Sequence, residues 1–179
     1  RPVKRRTLAI LLAAIGVAAI VLGVLSATAW RASNVVAMST PERPAAPVLV
    51  TDPGVLDLMP GDVEITATAD AEQPVTLVIA RTEEVAAWVG ASPHTKVTGA
   101  ADWETLAVED VPLGEGGTET VPTVSDVDGW PVERAEDGTV TTTWADQPGR
   151  WSVLAVTDGT ESAPALELSW QREVSTPWL

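Results

Sequence analysis

Leu8 to Trp30 is a run of 23 residues without a charge, and it follows a basic end holding Arg1, Lys4, Arg5 and Arg6. At about 1.5 Å per residue, a helix over this run spans roughly 34 Å, enough to cross a hydrocarbon core of about 30 Å. The apolar core of a cleaved signal peptide is shorter, about 7–15 residues. The run therefore predicts a single N-terminal transmembrane helix at 8–30, with 1–7 as its cytoplasmic end. Trp30 and Arg31 suit the outer interface, where an indole prefers the headgroup level. Ala27-Thr28-Ala29 offers the alternative of cleavage by a signal peptidase. Gly16, Ala19, Gly23 and Ala27 form a small-residue packing face along this helix, which lets a second helix approach closely. Everything after Trp30 is then expected outside the cell membrane.

Charge sharpens the partition. Residues 1–30 hold four of the eleven basic residues and no acid, so the remaining seven face all 25 acids and that part stands at −18. Such a domain repels nucleic acid and anionic headgroups, and both drop out as ligands. Cysteine is absent, which removes disulfides, thiolate metal sites and cysteine nucleophiles. Eight Trp with no Phe or Tyr, few Lys and much Ala, Val, Gly and Asp suggest a GC-rich genome. In layout and composition the chain resembles membrane-anchored envelope proteins of high-GC Gram-positive bacteria, which carry an anchor at one end and a β domain outside. The resemblance implies no activity and no cofactor.

Beyond the anchor, residues 31–50 carry Pro41, Pro44 and Pro47 with little periodicity and read as a spacer. The domain is expected over 51–174. Asp62–Ala69 alternates apolar and polar residues, the mark of a half-buried strand. Val75–Ala80 reads as a more fully buried strand. Thr139–Trp144, Arg150–Thr157 and Pro164–Trp170 form a matching set, separated by Pro148-Gly149 and Asp158-Gly159 and preceded by Asp137-Gly138. Short strands between Gly and Pro turns predict an all-β, antiparallel β-sandwich. Asp146, Gly149 and Trp151 stand where immunoglobulin-like domains carry an Asp, a turn Gly and a corner aromatic, so the expected version is immunoglobulin-like. Ser175–Leu179, with Pro177 and Trp178, reads as the possible start of a second membrane span.

The stretch 82–136 is too long for a plain connection and is expected as an insertion with one short helix. Thr82 is the expected N-cap, Glu83 and Glu84 fill the first turn, and Gly90 is the stop. The insertion gathers His94, the only histidine; Lys96, the only lysine beyond the anchor; and Trp88, Trp103 and Trp130. A lone histidine excludes a His-based triad with a second His and any multi-His metal site, and no G-x-S-x-G nucleophile motif accompanies it. Asp126, Asp128 and Gly129 open a calcium-loop pattern, but Arg134 and Ala135 stand where later oxygen ligands belong, so a turn is the reading and no metal is expected.

Trp88, His94, Lys96, Trp103 and Trp130 are thus the candidate binding residues. Two uses fit them. One is a non-enzymatic accessory or scaffold subunit docking a protein partner, with tryptophans as anchors. The other is a tethered module that stacks envelope glycan on those indoles. A hydrolase ranks third, since no catalytic motif is present.

Overall fold

The computed structural model describes residues 34–122, 124 and 129–171. The cytoplasmic end, the helix expected at 8–30 with its packing face, Asp126, Asp128 and the segment 175–179 lie outside the described residues. A compact unit begins at Val35. Its strands are β1 (Val35–Ser39), β2 (Val48–Thr51), β3 (Val63–Thr68), β4 (Pro74–Arg81), β5 (His94–Ala100), β6 (Leu106–Val111), β7 (Val132–Asp137), β8 (Thr139–Trp144), β9 (Trp151–Val156) and β10 (Ala165–Gln171), with one helix, α1 (Thr82–Val89). They form a four-stranded sheet in the order β1-β10-β3-β8 and a six-stranded sheet in the order β6-β5-β2-β9-β4-β7. The protein is mostly β-sheet, as the alternation and turn signals require.

All five strands expected from alternation, apolar runs and turn signals form. In β3, Val63, Ile65 and Ala67 are buried and Glu64 and Thr68 exposed, so alternation alone assigns its faces. The apolar residues of β4 and β9 are buried on both faces instead. Val75, Leu77, Ile79, Val153 and Ala155 point into the core between the sheets, with Leu168 and Trp170 from the other side. Val78, Ala80, Leu154 and Val156 point outward into a second cluster, which Val85 and Val89 of α1 cover. The larger sheet therefore lies between the core and a further layer made of α1 with Val121, Val124 and Trp130.

Two expectations change. The stretch 31–50 is no spacer beyond Asn34, because it supplies β1 and β2. Strand β2 is central, antiparallel to β9 and parallel to β5. The parallel pair means the sandwich is not purely antiparallel. The stretch 82–136 is likewise no appended insertion. It supplies α1, the β5–β6 hairpin that widens the sheet beside β2, and β7, the partner of β4. In the immunoglobulin arrangement the last strand lies beside the penultimate one. Here β10 joins the opposite sheet from β9, and β2 takes the place beside β9.

Arg43, in the former spacer, ties three segments together. Its guanidinium donates to Asp70 at 2.8 Å, to Gln73, and to the carbonyl of Ser162 at 3.1 Å, while Nε donates to the Ala163 carbonyl at 3.2 Å. Bonds from a charged donor contribute about 1.5–3 kcal/mol when well placed, so Arg43→Ala is expected to destabilise the domain by about 2 kcal/mol after allowance for partial exposure. Urea titration of the variant checks this; an unmoved midpoint would show that the clamp is dispensable.

The turn from Asp146 ends on an indole that holds it by several contacts. Trp151 Nε1 donates to the Pro148 carbonyl at 3.4 Å, and its ring packs edge-on against Trp144 at 4.8 Å. The Arg81 guanidinium lies 4.0 Å over the same ring, a cation–π contact. Gly149 sits at φ 135°, and a Cβ there would fall 2.0 Å from an Arg81 nitrogen, so a side chain would dislodge that stack.

Candidate functional site

The helix that roofs the outer face starts one residue earlier than the sequence suggests. Arg81, in extended conformation, is the N-cap, and the Glu84 carboxylate accepts from its backbone N–H at 3.2 Å. Thr82 is thereby released from capping, and its hydroxyl meets that of Ser152 on β9 at 3.0 Å. Gly90 ends the helix at φ 55°, as its position predicts.

Between α1 and strands β2, β5 and β9 lies a cleft of about 200 Å³. Thr82, Ala86, Val89 and Gly90 line it from the helix side, Val50, Thr51 and Asp52 from β2 and the residue after it, and His94, Lys96 and Ser152 from the other strands. His94 and Lys96 are two apart on one strand and so face the same way. The Ser92 carbonyl lies 2.9 Å from His94 Nδ1. A carbonyl only accepts, so Nδ1 carries the hydrogen of this bond. Lys96 Nζ stands 3.7 Å from an oxygen of Asp52, with both side chains more than a third exposed or nearly so, at 34% and 40%. The deeper polar atoms are occupied: Thr51 Oγ1 accepts from the Val153 N–H at 2.8 Å.

The five candidate residues thus divide among three places. His94 and Lys96 share the cleft. Trp88 and Trp130 are half-buried against the outer cluster; the Trp130 N–H donates to the Val124 carbonyl at 3.3 Å, and Trp88 Nε1 is buried without a partner among the described residues. Trp103 stands apart at the tip between β5 and β6, 73% exposed. No platform of three indoles is assembled. Sequence reasoning missed Asp52 and Ser152 because they come from segments far from the supposed insertion, and only the strand order β5-β2-β9 brings them beside His94 and Lys96.

The tip that carries Trp103 is tightly bonded. Asp102 Oδ1 accepts from the N–H groups of Glu104 and Thr105, both at 2.8 Å, and the Ala101 N–H donates to the Thr105 carbonyl at 2.8 Å. Ser39 of β1 donates to the Glu104 carbonyl at 2.9 Å, fastening the tip to the body. The Glu104 N–H, followed by bonding from Thr105, holds the Asp102 carboxyl below its ordinary value of 3.8. A lowered carboxyl stabilises the fold above its unfolded value and loses that contribution only as pH falls through the folded one. Protection of the Glu104 and Thr105 amides, relative to their intrinsic exchange rates, is therefore expected to hold at pH 5 and to fall only below about pH 3.8. Protection that persists unchanged to about pH 2 would show that the turn does not depend on the carboxylate.

Four large hydrophobic residues are exposed among the described residues, and three of them, Trp103, Val108 and Leu113, sit on or just after the β5–β6 hairpin. Strand β6 is also the free edge of the six-stranded sheet. Comparison of the chain with protein-family models, with curated proteins and with solved structures returned no match.

Proposed function

We propose that this protein is a membrane-anchored accessory or scaffold subunit of the cell envelope, with its amino end in the cytoplasm. Its extracytoplasmic sandwich docks a protein partner through the β5–β6 hairpin. The observation that carries this reading is Trp103: an indole 73% exposed on a turn fixed by two bonds to Asp102 and one to Ser39. Leaving so much apolar surface in water gains nothing for folding, whereas a pre-ordered indole loses little entropy on binding. Val108 and Leu113 are exposed further along the same edge strand and its exit, away from the tip, and acids of β6 flank Val108. The same reading extends to the fold. The β3–β8 and β4–β9 pairs with the Trp151 corner form an immunoglobulin-like centre, to which β2, β5 and β6 are added.

Trp103→Ala in the full chain tests the function. Its melting point is expected to stay within the range of a surface change, about 0.5 kcal/mol. Partner recovery from mild detergent is expected to fall by about thirtyfold in affinity, equivalent to about 2 kcal/mol. Equal recovery of a stable partner by the variant would remove the hairpin as the docking surface. Loss of glycan pull-down with no stable protein partner would favour the envelope-glycan module instead.

A further inference from the structure

The cleft beneath α1 serves neither the core nor the hairpin surface, and its chemistry is mixed in sign. Asp52 and Lys96 stand 3.7 Å apart at its wall, close enough for Coulomb attraction but beyond hydrogen-bond length. Among the described residues, neither the carboxylate nor the ammonium has a hydrogen-bond partner. Each is reachable from solvent and can exchange water for a ligand. Around them stand His94, whose Nδ1 is bonded to the Ser92 carbonyl, the Thr82–Ser152 hydroxyl pair, and an apolar wall of Val50, Ala86 and Val89.

We infer that this cleft binds a small zwitterion, of which a free α-amino acid is the simplest kind. A ligand bearing only a carboxylate gains Lys96 but meets repulsion from Asp52, and one bearing only an ammonium meets the converse. A molecule with both charges on neighbouring atoms lies antiparallel to the pair, its carboxylate on Lys96 and its ammonium on Asp52. A short side chain meets the wall of Ala86 and Val89. Size agrees: about 200 Å³ is below the 300–1,000 Å³ typical of drug-sized sites, so the occupant has few atoms. The site also explains why a domain so acidic places its only lysine beside its only histidine.

The full chain in detergent micelles, labelled with carbon-13 at histidine, provides the test, because His94 is the only such reporter. L-Alanine is expected to shift the imidazole signals saturably, and acetate and methylammonium to bind at least about tenfold more weakly. Lys96→Met and Asp52→Asn are each expected to weaken alanine binding at least about tenfold with unchanged melting, while Lys96→Arg keeps most of it. Absence of a saturable shift up to tens of millimolar alanine overturns the proposal. So does acetate binding as tightly as alanine, or alanine affinity equal in wild type and both charge-removing variants. The variants leave Trp103 untouched, so partner docking and zwitterion binding succeed or fail independently.

Discussion

Expressed from Asn34 to Gln171, the domain is expected to unfold in one cooperative thermal transition; expressed from Thr51 to Gln171, it is expected to show none. The shorter fragment follows the boundary that proline content suggests. It lacks β1 and all but the last residue of β2. Met38, Val48 and Leu49 are buried to 3% exposure or less, and each such side chain contributes about 1.5–3 kcal/mol when fully buried. Their loss alone consumes most of a stability of about 5–15 kcal/mol. The topology makes matters worse, since β2 stands between β9 and β5. Without it the β5–β6 hairpin is severed from the sheet, and β9 becomes an edge with unpaired backbone groups where β2 lay. Circular dichroism melts and calorimetry of the two fragments check this. A cooperative melt from the Thr51 fragment would show that β2 is dispensable and the boundary at Thr51 sufficient.

The largest single-residue effect is expected at Trp170. It lies on β10 at 1% exposure, paired in register with Val36 and Val63, and packs in the core between the sheets. Trp170→Ala leaves a cavity and is expected to cost about 3–5 kcal/mol. At about 3 °C per kcal/mol for a domain near this size, the melting point falls by about 10–15 °C. Trp170→Phe is expected to behave differently. Trp170 Nε1 is buried without a hydrogen-bond partner among the described residues, and an orphaned donor costs about 1–3 kcal/mol. Phenylalanine relieves that donor as alanine does but leaves a much smaller cavity, so its cost is expected below half that of alanine. Equal destabilisation by the two changes would show that the smaller ring does not fill the space.

Much of the candidate site was legible residue by residue, but not as a site. His94 and Lys96 stood out because each is the only one of its kind in the acidic part of the chain, and they do share one cleft. Trp103 was grouped with Trp88 and Trp130 because all three fall in one stretch of sequence. In the fold two are packed and one is exposed. Nothing local separates them. An indole is equally suited to a core and to an interface, and which it joins depends on the layer above it.

By itself the sequence determined the sandwich and five of its strands. Period-two burial is a property of consecutive residues, and β3 and β8 to β10 are bounded by turns whose Gly and Pro act locally; Gly138, at φ 77°, is the single residue between β7 and β8. Only the tertiary structure decided the fate of 35–50 and 82–136. Strands β1 and β2 are short, and β2 is buried on both faces, so neither shows the alternation that marks a strand. Their conformation is imposed by β10, β9 and β5, which supply the hydrogen-bond partners. The parallel pairing of Val50 with Lys96 brings together residues 46 positions apart, and with them Asp52. Local patterning fixes which way a side chain faces; which strand lies alongside is settled only when the two sheets close over their shared apolar surface.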